Sequence, residues 1–144
     1  MRALLDTNVF MRHANRADPR QPAITAALDK LIAQSDELCL CSQNIVEAWA
    51  VSTRPVIANG LGKDPRQLRP ELQAAMAGFT LVPEPPEVLS TWLDLCTVHE
   101  VRGRQAYDAR LVAFMVASSI NRLVTLNPVD FVRYPMIELV VPGS

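Results

Sequence analysis

Residues 1–10 read MRALLDTNVF, and the fold turns on how they are parsed. Arg2–Leu5 is an apolar run of strand character that stops on Asp6-Thr7-Asn8, and the chain turns apolar again at Val9-Phe10-Met11. A strand ending on an acid, with a helix opening at once on Thr7, is the start of a β-α unit. Asp6 is then either the cap of that helix or one wall of a polar site at the end of the strand.

The pattern repeats outward from this point. Thr7–Ala14 reads as a short helix and Pro22–Gln34 as an amphipathic one, with Ile24, Leu28, Leu31 and Ile32 on one stripe. Glu37–Cys41 is a second strand and Gln43–Thr53 a helix. The Pro- and Gly-bearing stretch RPVIANGLGKDPRQLRP (residues 54–70) reads as a loop. Glu71–Gly78 is a brief helix, Phe79–Val82 a third strand, and Pro86–Glu100 a helix entered through Pro85-Pro86. Gln105–Ser119 is the most apolar helix, Arg122–Thr125 a fourth strand and Ile137–Val141 a fifth. Strands alternating with helices of this length imply one α/β domain over residues 1–144: a three-layer fold with a mostly parallel central sheet of about five strands flanked by helices. Ligands of such sheets bind outside the carboxyl ends of the strands.

Composition narrows the function classes. The net charge of −1 gives no global field to draw nucleic acid or membrane. Arg nevertheless outnumbers Lys twelve to two, a bias that suits both a phosphate-rich ligand and a GC-rich genome. Cys39, Cys41 and Cys96 are an odd set, which together with the lack of a signal peptide predicts a reducing, cytoplasmic setting. Cys39 and Cys41 alternate as strand residues on one face, and core packing is expected of them. His13 and His99 share no zinc-ligand spacing with them. The longest apolar run, Leu111–Ile120, is about half a membrane span, so no membrane partner is expected. The segment ANGLGKDP follows a helix and lacks the Gly-Lys-Ser/Thr ending of a phosphate-binding loop. A receiver-like phosphoacceptor would need a lysine beside the site, and Lys30 and Lys63 lie far from the strand ends. Trp49 and Trp92, at helical spacing, are expected in the core.

Four acids fall near strand ends: Asp6, Glu47, Asp108 and Asp130. Each has a structural reading. Asp6 caps the helix at Thr7, Asn44 and Glu47 form a capping box, Asp108 complements a helix dipole, and Asn127-Pro128-Val129-Asp130 opens a helical turn. Caps belong in water, however, and Glu47 in NIVEAWAV and Asp108 in YDARLVAF sit in helices apolar enough to be buried. Buried carboxylates cost several kcal/mol each, to order of magnitude, unless paired. Arg110 is the basic residue nearest in sequence to any of the four, and one arginine cannot neutralise four acids. An oxygen-only donor set without His or Cys suits a hard divalent ion, Mg²⁺ or Mn²⁺.

Asp6 in LLDTNVF, Glu47 in SQNIVEAW, Asp108 in YDA and the TLNPVDF stretch resemble, in order and across the whole chain, the PIN domain family, in particular the VapC-type toxin ribonucleases. The resemblance implies an Mg²⁺-dependent endoribonuclease, the toxin of a type II toxin–antitoxin system, leaving a 5′-phosphate. Asp6 and Asp108 would hold the principal metal. Glu47 would position the attacking water or take its proton, and Asp130 would complete a second metal site or an outer shell. Thr7, Asn8, Thr125 and Asn127 would be supporting polar groups. Many members carry an acid where this chain has Asn127. The role therefore passes to Asp130, and whether Asn127 or Asp130 fills the fourth place, and whether one or two ions bind, stays open. Arg12, Arg54, Arg102, Arg104 and Arg110, with Arg16, are the candidate RNA contacts. A cognate antitoxin and a homodimer are the partners implied. The alternative is a PIN-type module that binds metal or RNA without turnover and acts through a protein partner.

Overall fold

A computed structural model describes residues 1–144. Five strands, β1 (Arg2–Leu5), β2 (Glu37–Leu40), β3 (Thr80–Leu81), β4 (Arg122–Val124) and β5 (Glu138–Val140), form one sheet in the order β3-β2-β1-β4-β5. Every pairing is parallel, so the sheet is wholly rather than mostly parallel. Leu4 stands in register with Cys39 on one side and Leu123 on the other.

Strand alternation divides the core in two. Leu4, Cys39 and Leu123 face α5 (Val88–Val98) and α6 (Gln105–Ala117), in a cluster with Val112, Phe114 and Met115. Ala3, Leu5, Leu38, Leu40 and Val124 face the opposite layer: α1 (Thr7–Ala14), α2 (Gln21–Ala33) and α3 (Ser42–Thr53), through Val9, Phe10, Ile24, Leu28 and Ala48. Helix α6 is buried on several sides, as its composition requires. Cys39 and Cys41 are core residues, and burial pushes both thiols up to about 11, where they are inert. No helix is long and apolar enough to cross a membrane.

Three local readings need correction. The segment 54–70 is only half loop: α4 runs from Pro65 to Met76, with Pro at its first position and the Asp64 side chain accepting from Arg66 N at 3.0 Å. Pro70 lies inside that helix, on an exposed face where the carbonyl it leaves unpaired can reach water. Ile32 and Trp49, read as core, are exposed, whereas Trp92 packs against the α5–α6 cluster and donates from Nε1 to Ala106 O at 2.9 Å. The apolar character of α3 is likewise only partly buried, since Val46 also faces outward.

What remains of the loop is a tight cap on α3. The Leu61, Lys63 and Gly62 N–H groups donate to Val51, Ser52 and Arg54 carbonyls at 3.1, 2.8 and 2.9 Å. Gly60 allows this approach: a Cβ there would lie 1.9 Å from Arg54 O and 2.4 Å from Arg54 Cβ. Gly60→Ala is therefore expected to lower unfolding free energy by about 2–3 kcal/mol, read from the urea midpoint. An unchanged midpoint would mean the turn opens freely.

Candidate active site

The strand order reverses direction between β1 and β4, and at such a switch point the strand ends leave a crevice. Asp6 stands there, directly after β1, its N–H continuing the ladder to Val124 O at 2.9 Å. Its carboxylate is held at both oxygens. Oδ1 caps α1 by accepting from Thr7 N at 2.8 Å, and Oδ2 accepts from the Thr125 hydroxyl at 2.8 Å. The Thr125 hydroxyl, wholly buried just past β4, accepts in turn from Asn127 N at 3.0 Å. The capping reading of Asp6 is thus correct and incomplete.

Glu47 is half-buried on the second turn of α3. Its Oε1 accepts from the Thr7 hydroxyl at 3.2 Å, which ties it to the residue next to Asp6. The box read as Asn44 with Glu47 is built differently: Cys41 is the cap, and the Asn44 side chain closes back on Cys41 N at 2.9 Å. Glu47 is left facing the site. Asp108 lies in the first turn of α6, half-buried, and Asp130 ends an exposed turn of 3-10 helix, Pro128–Asp130.

These four groups load one another electrostatically. Burial raises the Asp6 carboxyl above its ordinary range against the pull of Thr125 and Thr7, and Asp130 raises it further. Burial also raises Glu47, with Asp6 adding to it and Gln43, Thr7 and Arg110 opposing. Asp108 is pushed up to about 6 by burial and then by Asp6, Asp130 and Glu47, with only Arg104 offsetting. No three His, Cys, Asp or Glu side chains are closed into a ready-made metal cluster. The donor chemistry nonetheless fits a hard divalent ion: all-oxygen ligands in charge excess.

The supporting residues divide. Thr7, Thr125 and Asn127 join the network, the last through its backbone, while Asn8 is exposed and outside it. Among the arginines, Arg12 pairs with Asp18 at 2.9 Å, about 9 Å down α1 from Asp6. Arg54 caps the far end of α3, about 10 Å beyond Glu47 along the axis. Arg110 is gripped by both oxygens of Glu84 at 2.9 Å and by Gln43 Oε1 at 3.0 Å. Arg16, Arg102 and Arg104 are exposed and pair with no acid, the last two at the mouth of α6 beside Asp108. Of two buried amides, sequence reading missed Gln43 and gave Asn44 only a capping role. Gln43 joins α3 to Tyr107 O of α6 at 2.8 Å, and Asn44 reaches Leu5 O and Thr7 Oγ1 at 3.0 and 3.1 Å. Their signal was present: two amides at a helix start that faces a strand end.

The PIN domain family profile matches residues 3–135, and the chain belongs to that family. Solved structures share the fold. The VapBC2 complex from Rickettsia felis bound to a promoter DNA fragment is 20% identical, covering 99% of this chain and 100% of that one, with a TM-score of 0.75. FitAcB from Neisseria gonorrhoeae is also 20% identical, over 98% and 96% of the two chains, with a TM-score of 0.66. Mycobacterium tuberculosis VapC20, a Sarcin-Ricin loop cleaving toxin, is 16% identical over 84% and 86%, with a TM-score of 0.56. No curated protein sequence matches at a significant level.

The charge excess has a measurable consequence. Because Asp108 binds its proton more tightly folded, near 6, than unfolded, near 3.8, stability falls as pH rises through that window and levels off above it. Metal-free protein is expected to melt higher at pH 5 than at pH 7 in thermal scans with EDTA. Asp108→Asn should raise the pH 7 value and flatten the slope. A wild-type melting point that drops on going to pH 5 would contradict the electrostatic account.

Proposed function

We propose that this PIN domain is a divalent-metal-dependent endoribonuclease, the toxin of a type II toxin–antitoxin pair. The observation that carries the reading is the charge excess at the switch point: the Asp6, Glu47 and Asp108 carboxyls are each raised, Asp130 adds to the load on Asp6 and Asp108, and Arg110 is committed to Glu84 and Gln43. A divalent cation would balance such a site.

Asp6 and Asp108 are the groups that would hold Mg²⁺ or Mn²⁺, with Glu47 and Asp130 contributing from the two flanks. Bound there, a divalent ion supplies Lewis acidity for a water and for the phosphate oxygens of a phosphodiester. The chain's own residues do the rest. Thr7 N and the Thr125 hydroxyl fix the plane of the Asp6 carboxylate, leaving one lone pair on each oxygen outward. Thr7 anchors Glu47 at Oε1, so Oε2 is available to orient the attacking water and accept its proton. Asp130, exposed at the rim, would complete a second metal position or hydrogen-bond to metal-held water, with Asn127 beside it. Cleavage would leave a 5′-phosphate.

Arg102 and Arg104, free of acidic partners beside Asp108, are the best placed of the candidate contacts for the RNA backbone. Protein partners are part of the reading. The similar VapBC2 and FitAcB structures are complexes, which supports a cognate antitoxin. Apolar side chains left outside, among them Leu89 and Leu93 on α5 and Val46 and Trp49 on α3, offer surface for that antitoxin and for a homodimer contact.

Purified protein titrated with Mg²⁺ on structured RNA is expected to cut it. Asp6→Ala and Asp108→Asn should each reduce cleavage by about a thousandfold or more while melting cooperatively, the former with about 1 kcal/mol lost from the α1 cap. Activity retained in either variant would remove that carboxylate from the mechanism. Wild-type protein that binds RNA without turnover would instead identify the non-catalytic module.

A further inference from the structure

Asn44 is wholly buried at the start of α3, and every polar atom of its side chain is used. Oδ1 accepts from Cys41 N at 2.9 Å, and Nδ2 donates to Leu5 O at 3.0 Å and to Thr7 Oγ1 at 3.1 Å. Chemistry fixes this orientation. Turned over, the amide would set its NH₂ against the Cys41 N–H and its oxygen against the Leu5 carbonyl, donor to donor and acceptor to acceptor. A helix cap needs only Oδ1. The two N–H groups reach further, across to the end of β1.

The consequence falls on Thr7. A hydroxyl has one proton, and this one already accepts from Asn44, so its proton is left for Glu47 Oε1 at 3.2 Å. Three bonds therefore point one way: Cys41 N to Asn44, Asn44 to Thr7, Thr7 to Glu47. The same pattern occurs across the site, where Asn127 N donates to Thr125 and Thr125 donates to Asp6. On that side the orienting donor is backbone. On the Glu47 side it is a side chain, and hence a residue that substitution can remove.

We infer that Asn44 is a positioning residue: it sets the direction of the Thr7 hydroxyl, which pins Glu47 Oε1 and leaves Oε2 toward the reacting water. The inference rests on the nuclease reading of the site. Without Asn44 the hydroxyl is free to turn its proton elsewhere, and Glu47 is free to turn with it.

The test uses the full chain in four forms besides wild type: Thr7→Val, Thr7→Ser, Asn44→Ser and the double variant Thr7→Val/Asn44→Ser. Melting temperature, kcat and KM for Mg²⁺-dependent RNA cleavage, and Mn²⁺ affinity from the free-ion EPR signal are read for each. Thr7→Val and Asn44→Ser are expected to lower kcat by about 10- to 100-fold with KM within about threefold. Thr7→Ser should return to within about threefold of wild type, and the double variant should be no slower than the slower single, since both break one chain. Mn²⁺ affinity should fall by a shared factor of about tenfold that also does not multiply.

Wild-type kcat in Thr7→Val, failure of Thr7→Ser to rescue, or losses that multiply in the double variant would each overturn the inference. If Asn44→Ser does not fold, Asn44→Asp takes its place, keeping an acceptor for Cys41 N and removing the donor to Thr7, with the same expected loss of kcat; wild-type kcat in it would overturn the inference. Wild-type cleavage with every variant equally active sinks the inference alone. Mn²⁺ binding without cleavage in the wild type sinks the nuclease reading and leaves the affinities to decide this one. Neither binding nor cleavage sinks both.

Discussion

Like charge gathered where water is scarce is the constraint from which the rest of this structure follows. Asp6, Glu47, Asp108 and Asp130 come from distant segments, and burial together with their neighbours' charge raises the proton affinity of the first three. Left to itself, such a cluster would splay into solvent or take up protons. The central position of β1, paired on both sides in parallel, prevents the first by fixing where Asp6 stands. Two buried threonines restrain the charges individually, each receiving an N–H and passing its own proton to a carboxylate. Hydrogen bonds to the ionised form favour that form, so the threonines keep Asp6 and Glu47 closer to ionisation than burial alone would.

The helices that bring in the other acids are fastened separately. Gln43 of α3 donates to Tyr107 O of α6 and accepts from Arg110 of α6, and Glu84 holds the far side of the same guanidinium. This bridge sets the separation of Glu47 from Asp108. It also keeps the local arginine occupied, half-exposed, instead of letting it drop between the acids as a counter-ion. Part of the fold's stability is given up to keep the charge uncompensated, the usual relation between a functional site and the scaffold that carries it.

The sheet, its edge and the acids were legible because each depends on local signals: apolar runs of strand length, a polar residue at their ends, helices of regular period between them. What escaped depends on contacts between distant segments. A wheel drawn on α2 or α3 shows an apolar face that includes Ile32 and Trp49, but not that their neighbours leave both partly open to solvent. Pro70 reads as a breaker because the sequence does not show that its turn faces water. Asn44 reads as a cap because its nearest polar neighbours in sequence are its own helix, whereas its two N–H partners are 37 and 39 residues away. A buried amide becomes interpretable only when its partners are known.

The arginines show the same division between scaffold and site. Arg122 pairs with Asp36, whose side chain is 3% exposed, and with Glu138, joining β4, β5 and the turn before β2 at the amino edge of the sheet. Arg12 closes on Asp18, Arg110 on Glu84, and Arg133 on His99 O and Gln105. The forks of Arg110, Arg122 and Arg133 each make two or more contacts, and a fork so committed has little left for a phosphate. Arg102 and Arg104 are different: they flank Gly103, whose φ of +58° lets the chain turn into α6, and neither meets an acid. A polyanion repelled by the carboxylates would therefore find its open positive contacts on the Asp108 side of the crevice. Under the proposed reading its backbone would enter beside α6 and cross the carboxylates toward Glu47.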